Sequence, residues 1–267
     1  MPVWKWALLL VVSFILSALL CGFSETIPDF VNHTVLKWVA VIATAAGMIA
    51  VYALFVKWLE KRPAQDIPLW KSLRDTSKGF LIGFLFFVGT VILMLCLGVY
   101  KITGVGTDKP LEIATYFFSF LIVGVGEEIM FRGVVCRWID EKWGFAAALI
   151  TSAILFGAAH FSQGTLWSSV AIAIEAGLLL AAAYKWAGTL WFPIGIHWAW
   201  NFFEGNVFGF AVSGQDTGES LIQSSISGPD ILTGGIFGAE ASIITVVLGA
   251  ALSAWFIIKA VKRTAEN

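Results

Sequence analysis

The chain has 267 residues, of which 58% are hydrophobic and 13% charged, and its mean hydropathy is +0.84. Those figures exclude an ordinary soluble domain and require lipid as part of the solvent. The formal net charge of −1 excludes the clustered basic excess that a phosphate-binding surface needs, so nucleic acid is not expected as a partner.

In chain order, eight apolar runs approach the ~20 residues that a spanning helix requires. They lie at roughly 4–23, 38–56, 79–100, 113–135, 145–161, 167–186, 189–210 and 241–260. The first follows a single Lys5, lacks a small-x-small cleavage site and has the bulky Leu20 before Cys21, so it is predicted as a membrane helix and not as a cleaved leader. Cys21, Cys96 and Cys136 show no paired spacing and read as apolar packing residues. The runs are continuously apolar where barrel strands would alternate, so they must be helices.

Basic residues set the orientation. With the amino terminus in the cytoplasm, Lys57, Lys61, Arg62, Arg74, Arg137, Lys142, Lys185, Lys259 and Arg263 all fall on the cytoplasmic side, and only Lys37, Lys101 and Lys109 fall outside. The long 211–240 connection carries Asp216, Glu219, Asp230 and Glu240 without Lys or Arg, as an exterior loop should. The expected architecture is all-α: one polytopic transmembrane bundle over 1–267, about eight helices, both termini cytoplasmic.

An ionisable group inside a bilayer costs about 2.5–3.5 kcal/mol on insertion scales and needs a reason to be there. Such groups concentrate between residues 124 and 204. GVGEEIMFRGVV holds Glu127, Glu128 and Arg132; LFGAAHF holds Phe156 and His160; GIHWAWN holds His197 and Asn201. Neighbouring helical residues point about 100° apart, so Glu127 and Glu128 are not expected to face one small site. Glu128 is expected to pair with Arg132 one turn away, leaving Glu127 as the free acid. His197 and Asn201, also four apart, can present an imidazole and an amide to one point, and Phe156 lies one turn from His160.

A carboxylate, two imidazoles and an amide suit amide hydrolysis. One group takes a proton from water and others receive the oxyanion. The plainer reading is interhelical hydrogen-bond glue, worth roughly 0.6 kcal/mol per residue. Glu175 and Glu204 stand alone in the sixth and seventh runs with their roles open. On a rise of ~1.5 Å per residue, Glu127 and His197 lie about 14 Å from the cytoplasmic ends of their helices and His160 about 22 Å, a mismatch that a tilt or a boundary error would have to close.

EEIMFR, FGAAH and HWAWN match, in order, the EExxxR, FxxxH and HxxxN motifs of the CAAX protease and bacteriocin-processing family, also called Abi, which the chain resembles over 113–205. The resemblance places the catalytic core there and implies an intramembrane endopeptidase similar to the type II CAAX prenyl endopeptidases. It implies that Glu127 and His160 activate water, that His197 and Asn201 stabilise the oxyanion, and that Glu128 and Arg132 complete the first motif. Glu127, His160 and His197 could hold one divalent metal, zinc foremost, with an open fourth position. HExxH is absent, and a metal-free site is preferred. The implied partners are membrane lipid and a peptide or lipidated protein tail that enters from the cytoplasm or the bilayer. A bacterial-type plasma membrane is expected, with the endoplasmic reticulum as the alternative. Two other classes remain: a proton- or cation-coupled transporter, which should show inverted repeats or broken helices, and a non-catalytic immunity or scaffold protein binding through the 211–240 loop.

Overall fold

The computed structural model describes Val11 and residues 34–266, so nearly all of the expected 4–23 helix lies outside the described residues. The other seven runs each become a helix: α1 Thr34–Leu59, α2 Ser72–Cys96, α3 Pro110–Trp143, α4 Phe145–Ala159, α5 Leu166–Ala187, α6 Trp191–Phe202 continuing to Val207, and α7 Ile243–Glu266. Six of these, all but α6, are long and apolar enough to cross a membrane. Their outward faces carry exposed Leu36, Val39 and Ile42 on α1 and Leu81, Leu85 and Ile92 on α2, as a lipid-facing surface requires.

The short α6 is the centre of the bundle. From Trp191 to Asn201 every residue except Trp198 is buried. Membrane helices gain little from the hydrophobic effect and associate by close packing, which small residues permit. Gly79 and Gly83, four apart on α2, lie against the α6 backbone, where a Cβ would collide with the Phe192 and Ile196 carbonyl oxygens. Gly195 on α6 returns the contact against the Thr76 carbonyl. On the other side Trp198 donates its indole N–H to the Phe117 carbonyl of α3 at 2.6 Å. The amino end of α6 is recessed under the 60–68 loop: the Leu190 N–H reaches the Asp66 carbonyl at 2.7 Å, and the Trp191 indole reaches that of Pro68 at 3.1 Å.

Three helices widen into π-helical segments: Ile129–Cys136 in α3, Ala173–Leu178 in α5 and Phe203–Val207 in α6. A π-segment shifts the backbone ladder and tends to occur at functional sites. Side chains take the displaced carbonyls. Tyr52 and Arg137 both donate to the Gly133 carbonyl at 2.9 and 2.8 Å, and Arg132 to those of Ala176 and Gly177 at 3.2 and 3.1 Å.

The helical architecture matches expectation, with one addition. An antiparallel pair, β1 Tyr100–Val105 and β2 Ile222–Ile226, registers Tyr100 with Ile226 and Val105 with Ile222. The exposed faces of such short strands carry too weak a pattern to be read beside long apolar runs. Tyr100 anchors the sheet to the bundle by donating to the Phe208 carbonyl at 2.8 Å. The opposite end of the bundle carries a polar network. Glu60 meets Arg62 and Arg137, each at 2.6 Å, Arg137 meets Glu141 at 2.9 Å, and Tyr52 donates to Asp66.

Candidate active site

The site begins on α3. Glu128 and Arg132 are fully buried and form the expected ion pair, Nη1 to Oε1 at 2.8 Å. The arginine spans from α3 to the π-segment carbonyls of α5, and its guanidinium stacks over the Phe156 ring at 4.6 Å. Glu128 has a second task that the motif spacing did not reveal, because His197 donates from Nδ1 to the same Oε1 at 2.9 Å. On the other side of the imidazole, Nε2 lies 3.8 Å from Glu127 Oε2. As expected, the two glutamates do not both face the cavity, since Glu127 lines it and Glu128 does not. They point apart on the helix, and the His197 ring lies between them with one carboxylate at each nitrogen.

The two acids differ in what they are free to do. Glu128 is committed to Arg132 and His197. Glu127 keeps 23% of its side chain exposed, lines a cavity, and its Oε2 has no hydrogen-bond partner.

His160 caps the carboxyl end of α4 and turns its ring back along the helix, with Nδ1 2.9 Å from the Phe156 carbonyl. A carbonyl only accepts, so Nδ1 carries a hydrogen, and in the neutral ring Nε2 is the nitrogen able to accept one. The Phe156 ring lies 4.8 Å from His160 and 6.1 Å from His197, a hydrocarbon wall between the two imidazoles. For His197 the depth mismatch closes because the amino end of α6 is recessed beneath the 60–68 loop, and for Glu127 because α3 continues to Trp143 instead of ending near 135. At ~1.5 Å per residue Glu127 is then about 24 Å from that end, close to the 22 Å of His160.

Glu127, His160, His197 and Asn201 all line one cavity of about 820 Å³. It follows a single face of α3 through Glu112, Tyr116, Ser119, Val123 and Glu127, a run of about 22 Å at the helical rise. Among its lining residues Leu111 and Asp216 are exposed, which puts its mouth at the end that also holds Thr34 and Lys37. Lys57, Lys61, Arg62, Lys142 and Lys185, at the opposite basic end, do not line it.

Two further acids line the same cavity. Glu175 sits in the α5 π-segment, 1% exposed, and Glu240 sits in the 3₁₀ turn Ala239–Ala241 before α7, 3% exposed. Behind them Glu204, fully buried, accepts the Glu240 backbone N–H at 3.3 Å. Sequence reasoning left Glu175 and Glu204 open and assigned Glu240 to an exterior loop. The signal for Glu240 was its apolar setting, GAEASII, at the edge of the last run. Among the described residues, no group of three or more His, Cys, Asp or Glu side chains is placed to hold a metal ion.

Residues 109–203 match the family model described as type II CAAX prenyl endopeptidase Rce1-like. That span encloses Glu127, Glu128, Arg132, Phe156, His160, His197 and Asn201, and bears out the resemblance drawn from the three motifs. No curated protein and no solved structure matches the chain.

Proposed function

Since residues 109–203 carry a domain of the Rce1-like type II CAAX prenyl endopeptidases, we propose that this membrane protein hydrolyses a peptide bond inside the bilayer, using Glu127 and His160 to activate water. The observation that carries the reading is the contrast between adjacent glutamates: Glu128 is fully buried with Oε1 engaged by Arg132 and His197, whereas Glu127 lines the cavity and keeps 23% of its side chain exposed.

In the proposed reaction, water sits between the Glu127 carboxylate and Nε2 of His160. Glu127 takes one proton as the water oxygen attacks the scissile carbonyl carbon. The new oxyanion is received by the Asn201 amide N–H and, when its imidazole is doubly protonated, by the Nε2–H of His197. Collapse of the tetrahedral species breaks the C–N bond, and Glu127 returns its proton to the leaving amine. Glu128 positions the His197 ring through Nδ1, and Phe156 walls the site from lipid. Metal dependence is a matter for the chelator arm of the test below: among the described residues no three His, Cys, Asp or Glu side chains are gathered to hold an ion, while the bond from His197 Nδ1 to Glu128 leaves Nε2 free, as a ligating histidine also requires.

The substrate is a peptide or lipidated protein tail, and the membrane is a bacterial-type plasma membrane with the basic end of the bundle inward. By the basic-residue rule the cavity mouth then faces outward, so the substrate arrives from the non-cytoplasmic side. The test is cleavage of a quenched peptide library, with prenylated and unlipidated members, by the purified protein in nanodiscs. Cleavage that Glu127→Ala and Glu127→Gln abolish, and that chelator leaves intact, supports the reading. Robust cleavage by either variant overturns it.

A further inference from the structure

The cavity is more acidic than hydrolysis needs. Five carboxylates line it, Glu112, Glu127, Glu175, Asp216 and Glu240, against one lysine, Lys37, near the mouth. Glu112 and Asp216 also lie toward the mouth, where water can solvate them. Glu175 and Glu240 lie within the bundle, buried to 1% and 3% exposure.

Their partners are unequal. Glu240 Oε2 accepts from the Ser213 backbone N–H at 2.7 Å and from its hydroxyl at 2.9 Å, which fixes the carboxylate on the cavity wall. Glu175 Oε1 has no hydrogen-bond partner at all, and among the described residues no cation lies within 4 Å of Glu175, Glu204 or Glu240. Elsewhere in this bundle a buried charge meets its opposite, as Arg132 meets Glu128. A buried carboxylate left bare beside a roomy cavity is a binding group awaiting its counter-charge. The backbone is shaped for this placement. Glu175 stands in a π-segment, and Gly249 of α7 lies against its Cα, where a Cβ would come within 2.8 Å. Glu240 lines the same cavity as His160 and His197, so a group held there shares the cavity with the proposed catalytic residues.

We infer that Glu175 and Glu240 form a subsite for a basic side chain, lysine or arginine, of the peptide substrate. The inference rests on the endopeptidase reading and names the class of peptide that reading left open. The basic side chain enters with its methylenes against Phe156 and Leu179, which also line the cavity, and its charge ends between the two carboxylates. Glu204 stands behind, fixing the Glu240 turn through its backbone bond.

The experiment uses the full protein in nanodiscs and two quenched peptides that differ at one position near the scissile bond, lysine in one and norleucine in the other. Hydrolysis is followed for the wild type, Glu175→Gln and Glu240→Gln, and binding of the same peptides is followed by fluorescence anisotropy. The wild type is expected to favour the lysine peptide about tenfold or more in kcat/KM, mainly through KM, as desolvated charge pairs allow. In Glu175→Gln that ratio falls toward one; because it is internal to each sample, a partly folded variant does not mimic it. Equal use of both peptides by the wild type, or a preference that survives in both variants, overturns the subsite. Charge-selective binding without hydrolysis retains the subsite and removes the endopeptidase reading, and hydrolysis without charge selectivity does the reverse.

Discussion

The two polar regions of this bundle are built from the same residue types to opposite ends. At the basic end, Glu60, Arg62, Asp66, Arg137 and Glu141 all lie within 4 Å of an opposite charge, and Tyr52 and Arg137 close on the Gly133 carbonyl. In and behind the cavity that pairing is missing: among the described residues Glu175, Glu204 and Glu240 have no cation within 4 Å, and Glu127 has only the His197 imidazole at 3.8 Å. Glu128 and Arg132 stand at the border, and they are paired in the manner of the basic end while steering His197 in the cavity. Paired groups hold helices in place; a buried acid without an ionic partner is available to water and substrate. Burial alone does not separate the two kinds of residue, whereas ionic pairing together with cavity lining does.

Breaking the border pair should have the largest effect. Arg132→Ala leaves Glu128 buried without its cation and frees the Ala176 and Gly177 carbonyls, so a loss of about 3–5 kcal/mol is expected. Thermal unfolding in detergent would register it as a large drop in midpoint. Asn201→Ala should move the other observable: kcat falls about a hundred- to a thousandfold with the midpoint little changed, since one oxyanion donor is lost. At the basic end, Glu60→Gln weakens two short ion pairs and should cost about 1–3 kcal/mol of stability, with hydrolysis per folded molecule unchanged. Should Glu60→Gln lose activity in folded protein, the division between the two regions would fail. The smallest effect is expected from Glu141→Gln, under about 1 kcal/mol, because that carboxylate is largely exposed and its bond to Arg137 is screened.

Much of this was legible before the structure, and the reasons are physical. Long apolar runs can only be helices in lipid, so the described helices could be placed within a few residues. The error at 135 arose because Arg137, Asp140, Glu141 and Lys142 look like a loop, while α3 carries them onward as its solvent-facing end. The pairing of Glu128 with Arg132 followed from helix periodicity. The bridge from Glu128 to His197 did not, because it joins residues 69 apart and depends on how α3 and α6 cross. The π-segments were also invisible, since no residue type dictates them and tertiary contacts such as Tyr52 with Gly133 sustain them. Glu240 was missed for a related reason. Its turn is held inward by contacts from distant parts of the chain, among them those with Ser213, Glu204 and Trp167.

The most direct test of the account is to measure single-turnover cleavage and unfolding midpoint on the same nanodisc samples of Glu127→Gln and Glu128→Gln. The bare glutamate should prove chemical and the paired one structural: Glu127→Gln keeps the wild-type midpoint and loses cleavage by about a thousandfold or more, while Glu128→Gln loses midpoint and retains the greater residual rate. A Glu127→Gln protein that cleaves at the wild-type rate, or a Glu128→Gln protein with an unchanged midpoint and no cleavage, would contradict it.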